Sequence, residues 1–223
     1  MVAGLQIIND YGTTQIDQDW RNFGFRQKFS VGFTLSPALP GQTAAPQNYS
    51  LPLTGVACMV AAKSDVLCPV PYASNLSGSS WTFDFRIFPP PTPTPGVSYS
   101  GTVEFYVFDV PWAGGFSNVG LEVFDAIGQR VYHSDMDVMR VPSGGVQNCA
   151  ADFFGESGRV YAPLVLRNPI RSYYNGVQYF LYTRTLRSIG SNIITGDQPV
   201  EAGSFLEENN YGLYAAVDVT GLS

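Results

Sequence analysis

Short runs in which β-branched and aromatic residues alternate with polar ones, punctuated by Gly or Pro, set the strongest limit on what this chain can fold into. The spacing predicts strands over 29–34, 81–87, 102–109, 120–125, 159–166, 177–183 and 211–219. No stretch shows helical periodicity with caps at both ends. An all-β architecture follows, with two β-sandwich-like modules built from antiparallel hairpins. The run from Phe88 to Gly96 carries Pro89, Pro90, Pro91, Pro93 and Pro95. Successive prolines fix φ, so 88–96 reads as a stiff extended surface loop or spacer. The stretch 36–52, rich in Pro, Gly, Gln, Ala and Asn, reads as a second long loop.

Composition narrows the function. The 223 residues are 45% hydrophobic and 14% aromatic but only 13% charged, about half the roughly 25% usual for soluble domains. So weakly charged a surface suits a chain whose faces neighbouring subunits cover. Twelve basic residues against 18 acidic ones give a net charge of −6, and the arginines are scattered, which argues against a nucleic-acid partner. No apolar run approaches the roughly 20 residues of a bilayer span, so membrane insertion is not expected. The amino end shows no basic segment followed by an apolar one, so no secretory leader is expected. Cys58, Cys68 and Cys149 are odd in number and lack C-x-x-C spacing. They read as reduced thiols in preference to a Cys58–Cys68 bridge, and a structural zinc site is less expected still.

The chain also echoes itself. Gly4-Leu5-Gln6-Ile7-Ile8-Asn9-Asp10-Tyr11-Gly12 aligns with Gly120-Leu121-Glu122-Val123-Phe124-Asp125-Ala126-Ile127-Gly128. The shared content is a β-hairpin: an alternating strand, an Asn or Asp opening a turn, and a Gly able to take positive φ. The return strands are 13–17 and 129–134, each followed by an acidic pair, Asp17 with Asp19 and Asp135 with Asp137. The runs 105–110 and 214–219 both close on Asp-Val. An internal duplication accounts for this, with chance similarity of two hairpins as its rival. The boundary falls within 110–117, giving an N-terminal module at 1–112 and a C-terminal module at 113–223.

Three segments together resemble small tail proteins of tailed bacteriophages. They are the opening Gly4 to Asn9 with Gln15-Ile16-Asp17 and Trp20-Arg21-Asn22, the central Gly120 to Tyr132, and the terminal Val217-Asp218-Val219-Thr220-Gly221. The resemblance implies a structural component of the virion, made in the host bacterial cytoplasm and placed at the tail tip, baseplate or fibre attachment. Its partners would be other tail proteins and further copies of itself in a ring or trimer. It brings no catalytic residue and no cofactor, and the loops 36–52 and 88–96 lie outside its pattern.

Searching for chemistry yields little. His133, the only histidine, falls in a predicted return strand and reads as an ordinary strand histidine. No metalloprotease, phosphate-loop or nucleophile-elbow motif occurs. The acidic pairs at i, i+2 would lie on one strand face about 7 Å apart, and they read as solvated turn carboxylates rather than a glycosidase dyad or a cation site. Glu207-Glu208-Asn209-Asn210 reads as a polar turn. Neither an enzyme nor a metal protein is expected.

Aromatic residues are the remaining contact candidates, because Trp and Tyr combine a large buried area with a polar tip. Trp112, beside Pro111 and before Gly114-Gly115, is the first choice as interface anchor. Trp20, Arg21 and Asn22 follow, since an N-terminal hairpin offers an edge to another chain, and then the pair Tyr173 and Tyr174. Trp81 belongs to the same set of candidates, most of which are expected in the core. The main expectation is assembly of a tail component. The alternatives are a host-receptor or carbohydrate-binding module reading a surface glycan, and a capsid decoration protein.

Overall fold

The computed structural model describes residues 6–8, 14–17, 22–111, 116–142, 144–149, 151–167, 170–174, 179–203, 209–210 and 212–223. Across 6–17, 167–184 and 197–210 it gives the course of the strands alone. Described residues form strands and turns with no helix. In the first half the strands are β1 (Gln6–Ile8), β2 (Thr14–Asp17), β3 (Gly24–Leu35), β4 (Gln47–Thr54), β5 (Met59–Lys63), β6 (Cys68–Ser77), β7 (Ser80–Phe88) and β8 (Tyr99–Asp109). In the second they are β9 (Glu122–Phe124), β10 (Arg130–His133), β11 (Val146–Asn148), β12 (Phe153–Phe154), β13 (Tyr161–Arg167), β14 (Ile170–Tyr174), β15 (Tyr179–Ile189), β16 (Asn192–Gly203), β17 (Asn209–Asn210) and β18 (Leu213–Asp218).

All the strand pairings are antiparallel, as the hairpin pattern requires. The sheets β3-β8-β5 and β4-β7-β6 face each other across a core that includes Leu35, Leu51, Val60, Phe85, Ile87 and Phe105. The sheets β11-β18-β13 and β12-β16-β15-β14-β17 do the same around Phe153, Tyr161, Leu186, Ile193 and Tyr214. A third cluster joins the halves: Ala61, Tyr106 and Phe108 of the first pack on Ala162, Leu164, Ala215 and Val217 of the second.

That middle layer accounts for a pattern that simple alternation missed. β8 alternates only as far as Glu104; from Phe105 to Asp109 every residue is buried. Phe105 and Val107 enter the first core while Tyr106 and Phe108 enter the shared one. β18 behaves likewise, with Tyr214 and Ala216 on one side and Ala215 and Val217 on the other. A strand covered on both faces reads as a continuous apolar run.

Several expectations need correction. The supposed loop 36–52 ends early because β4 occupies its last third. Tyr49, Leu51 and Leu53 alternate inward there, and Pro52 had hidden the strand. Pro52 is tolerated because β4 is an edge strand, as are β6, with Pro69 and Pro71, and β13, with Pro163. A missing N–H costs nothing on the unpaired side and blunts the edge against further pairing. The proline segment is a spacer only in part, since Phe88 and Pro89 are buried. The Pro91 ring lies where a side chain on Gly196 of β16 would be. The polar turn expected before the last strand holds β17, which pairs with β14, at Asn209 and Asn210; Glu207 and Glu208 lie outside the described residues. The three cysteines are free and buried, as expected.

Phe105 is fully buried and meets Phe85 edge-on, with ring centroids 4.9 Å apart, and Tyr49 in a stack at 5.3 Å. Replacing it by Ala removes both ring contacts and leaves a cavity in the first core. Phe105→Ala is expected to lose about 3–5 kcal/mol of stability in chemical denaturation.

Candidate functional site

The hairpin β9–β10 is closed by its turn chemistry. Asp125 Oδ1 accepts the backbone N–H groups of Ile127 at 3.0 Å and Gln129 at 2.7 Å, and Gly128 takes φ of 80°. An Asx turn followed by a left-handed Gly is the geometry those residue types favour. Val123 and Val131 are buried beneath the hairpin with Tyr132 against them.

His133 completes this small core. It is 1% exposed and stacks on Phe116 with centroids 4.7 Å apart. Its Nδ1 accepts the N–H of Asp135 at 2.9 Å. In the neutral ring the proton therefore sits on Nε2, 3.4 Å from Glu122 Oε1. Arg130 Nη2 contacts the same oxygen at 2.8 Å, and its guanidinium covers the rings of Phe116 and Phe124. Among the described residues no hydroxyl or thiol hydrogen-bonds His133, so nothing there assembles a nucleophile with a base. Asp135 and Asp137 lie beyond β10 and not on a strand face. The Asp135 carboxylate accepts the Ser117 N–H at 2.8 Å, and hydrogen bonding from the Ser117 side chain and then from this N–H holds it below the usual carboxylate range. The Asp137 carbonyl accepts the Phe25 N–H. Of the other acidic pair, Asp17 ends β2 and Asp19 lies outside the described residues.

Beside polar Glu122 and Gln129, this packing leaves several large apolar side chains outside. Val119 is 81% exposed, Ile127 78%, and Leu121 and Phe124 nearly half. None of the four is among the contact candidates named from the sequence, yet the signal was present in the echo. Leu5, Ile8 and Tyr11 occupy the aligned positions of Leu121, Phe124 and Ile127.

The anchors expected from the sequence are a different set. Trp112, Trp20 and Arg21 lie outside the described residues. Asn22 serves the fold, its backbone N–H and Nδ2 both donating to Val131 O at 3.3 and 3.5 Å. Tyr173 and Tyr174 are placed on β14, opposite Phe180 and Tyr179 of β15. Trp81 borders the first core, stacked on Phe83 and donating from Nε1 to Gly55 O at 3.3 Å.

Two further features are chemical in composition but structural in geometry. The fully buried Asp109 accepts N–H groups from Val56 (3.1 Å), Ala57 (2.8 Å) and Val110 (2.9 Å) and pairs with Arg26 Nη1 at 3.1 Å. The same guanidinium nitrogen donates to Thr54 O. On the surface, Glu104 receives Lys28 at 2.8 Å, Tyr106 at 3.0 Å and Lys63 at 3.5 Å. An open cleft of about 390 Å³ lies between β5, β6 and β13, with Tyr72, Phe83, Leu164 and Leu166 in its walls. Among the described residues no group of His, Cys, Asp and Glu is arranged to hold a metal, and no helix is long and apolar enough to cross a membrane.

Comparison with known protein families, with characterised proteins and with solved structures found no match.

Two outcomes follow from these environments. Burial, reinforced by neighbouring Asp109, pushes the Cys58 thiol up to about 11, and burial does the same for Cys68. At pH 8 a colorimetric thiol reagent is expected to leave both unmodified in the folded protein and to titrate them once denaturant is added. Burial works against the charge of Glu104, but hydrogen bonds from Lys28 and Tyr106 and the charge of Lys63 outweigh it, holding the carboxyl below 4.5. A carboxylate with a lowered folded pKa stabilises above its unfolded value and loses that contribution as pH falls through the folded one. The stability advantage of the native protein over Glu104→Gln is therefore full above about pH 5 and shrinks on acidification, as denaturation midpoints at several pH values will show.

Proposed function

We propose that this chain is a structural protein that works by assembling with other polypeptides, without turnover, in the tail of a tailed bacteriophage at the tip, baseplate or fibre attachment. The observation that carries the assembly reading is the outer surface of the β9–β10 hairpin. Val119, Leu121, Phe124 and Ile127 stand exposed on an element whose own stability is met by Val123, Val131 and His133 beneath it. Apolar side chains that folding does not use are characteristic of contact surfaces. The low charge content points the same way, since depletion of charge marks the centre of an interface. The tail is proposed on the resemblance of the three sequence segments.

The test is sedimentation of the whole protein, alone and with purified tails. The native chain is expected to form a discrete oligomer or to pellet with tails. Phe124→Asp combined with Ile127→Asp is expected to weaken that association at least about tenfold, or 1.4 kcal/mol, with the melting temperature unchanged. A compact monomer that ignores tails and is indifferent to both substitutions would sink the proposal.

A further inference from the structure

The strand order of the first half recurs in the second. Sheet β3-β8-β5 has the arrangement of β11-β18-β13: the half's first sheet strand, its last strand, then a middle one. Sheet β4-β7-β6 corresponds in the same way to β12-β16-β15. The hairpins β1–β2 and β9–β10 complete the set, leaving only β14 and β17, which pair with each other at one sheet edge, without counterparts.

Registers agree as well as order. Gln6, Ile7 and Ile8 pair with Asp17, Ile16 and Thr14, with a bulge after Ile7. Glu122, Val123 and Phe124 pair with His133, Tyr132 and Arg130, with the bulge in the same place. Every one of these residues is 116 positions from its counterpart. At the same offset Gly24 corresponds to Arg140, and Gly24 pairs with Asp109 while Arg140 bridges to Asp218, the two Asp-Val closures, which are themselves 109 positions apart. Each of these aspartates contacts an arginine, Asp109 with Arg26 at 3.1 Å and Asp218 with Arg159 at 3.2 Å.

Setting Asp109 on Asp218 matches the cores residue by residue. Phe105 and Val107 of the first core fall on Tyr214 and Ala216 of the second. Tyr106 and Phe108 fall on Ala215 and Val217, and Met59 and Ala61 on Ala162 and Leu164; all eight belong to the shared layer between the halves. The halves therefore meet through the same face of each. They also cross as antiparallel chains: Met139 N–H donates to Phe23 O and Phe25 N–H to Asp137 O, both at 2.7 Å, with Gly24 bridged to Val138. At the centre of that crossing Phe23 lies opposite Met139, again 116 positions away. Each strand meeting its own counterpart, β5 on β13 and β6 on β15, is the signature of an isologous, twofold contact.

We infer that the chain is two copies of one module, 1–112 and 113–223, packed face to face about a twofold pseudo-axis, so that a single polypeptide contains an interface of homodimer type. The partner that fits the Met59–Ala61–Tyr106–Phe108 face is a second copy of the same module, and the chain carries that copy itself. The two faces have diverged in a complementary way. Tyr106 and Phe108 from one half share the layer with Ala215 and Val217 from the other. Two first-half faces would bring four large rings together, which overpacks the layer and favours the pairing of unlike halves.

Exchanging equivalent residues across the axis tests this in the whole protein. Phe108→Val opens a gap and Val217→Phe overfills the layer, so each alone lowers the melting temperature. The double variant restores the summed volume with the faces interchanged and is expected to recover at least about half of the combined loss. Strictly additive losses would overturn the inference. An experimental structure gives a second reading that does not depend on variant folding. Superposing 22–111 on 138–222 should need a rotation of about 180° and should bring Asp109 onto Asp218 and Gly24 onto Arg140. Another rotation or another pairing would overturn it equally.

Discussion

Burial of β8 and β18 on both faces is the constraint around which the rest of the molecule is arranged. A central strand with cover on each side must send every side chain into a core, odd positions one way and even positions the other. Phe105 and Val107 thereby hold the first sandwich together, while Tyr106 and Phe108 hold that sandwich to the second. Ala215 and Ala216 divide the same duties on β18. Small residues at Ala61, Ala162 and Ala215 share this layer with the large rings of Tyr106 and Phe108.

A polar group at such a position has to be satisfied completely, and Asp109 is. Three backbone N–H groups and Arg26 converge on it, tying the turn at 55–58 to the end of β8. Removing a carboxylate of this kind would leave three backbone N–H donors unsatisfied in the interior and take from Arg26 its charge partner, which is the expensive side of a buried ion pair. At the periphery the requirement reverses. Prolines on β4, β6 and β13 blunt the edges by withholding donors, so the molecule discourages indiscriminate strand pairing. The most exposed apolar side chains on the β9–β10 hairpin and its approach, Val119 and Ile127, lie away from those edges along the chain.

Much of the strand content was legible because alternation with Gly and Pro punctuation is a local signal. The hairpin turn at 125–128 was legible for the same reason, as its Asp and Gly act on their own backbone. β4 escaped because Pro52 carries the same meaning in a loop and on an edge strand, and only the position of the strand in its sheet separates the two. The exposed apolar set on the hairpin was not legible for a related reason. Residue type alone does not separate Val123, which is buried, from Leu121, Phe124 and Ile127, which are exposed; the packing against His133 and Val131 does.

By itself, the sequence determined the all-β class, the hairpins, the reduced cysteines and the echo between 4–12 and 120–128, since each depends on neighbours along the chain. Only the tertiary structure decided that apolar runs in β8 and β18 are strands covered twice, that residues of both halves share one apolar layer, and that the proline segment rests against β16. Those outcomes depend on which sheets lie above and below a strand. That information is carried by contacts between residues a hundred or so positions apart, and no local pattern encodes it.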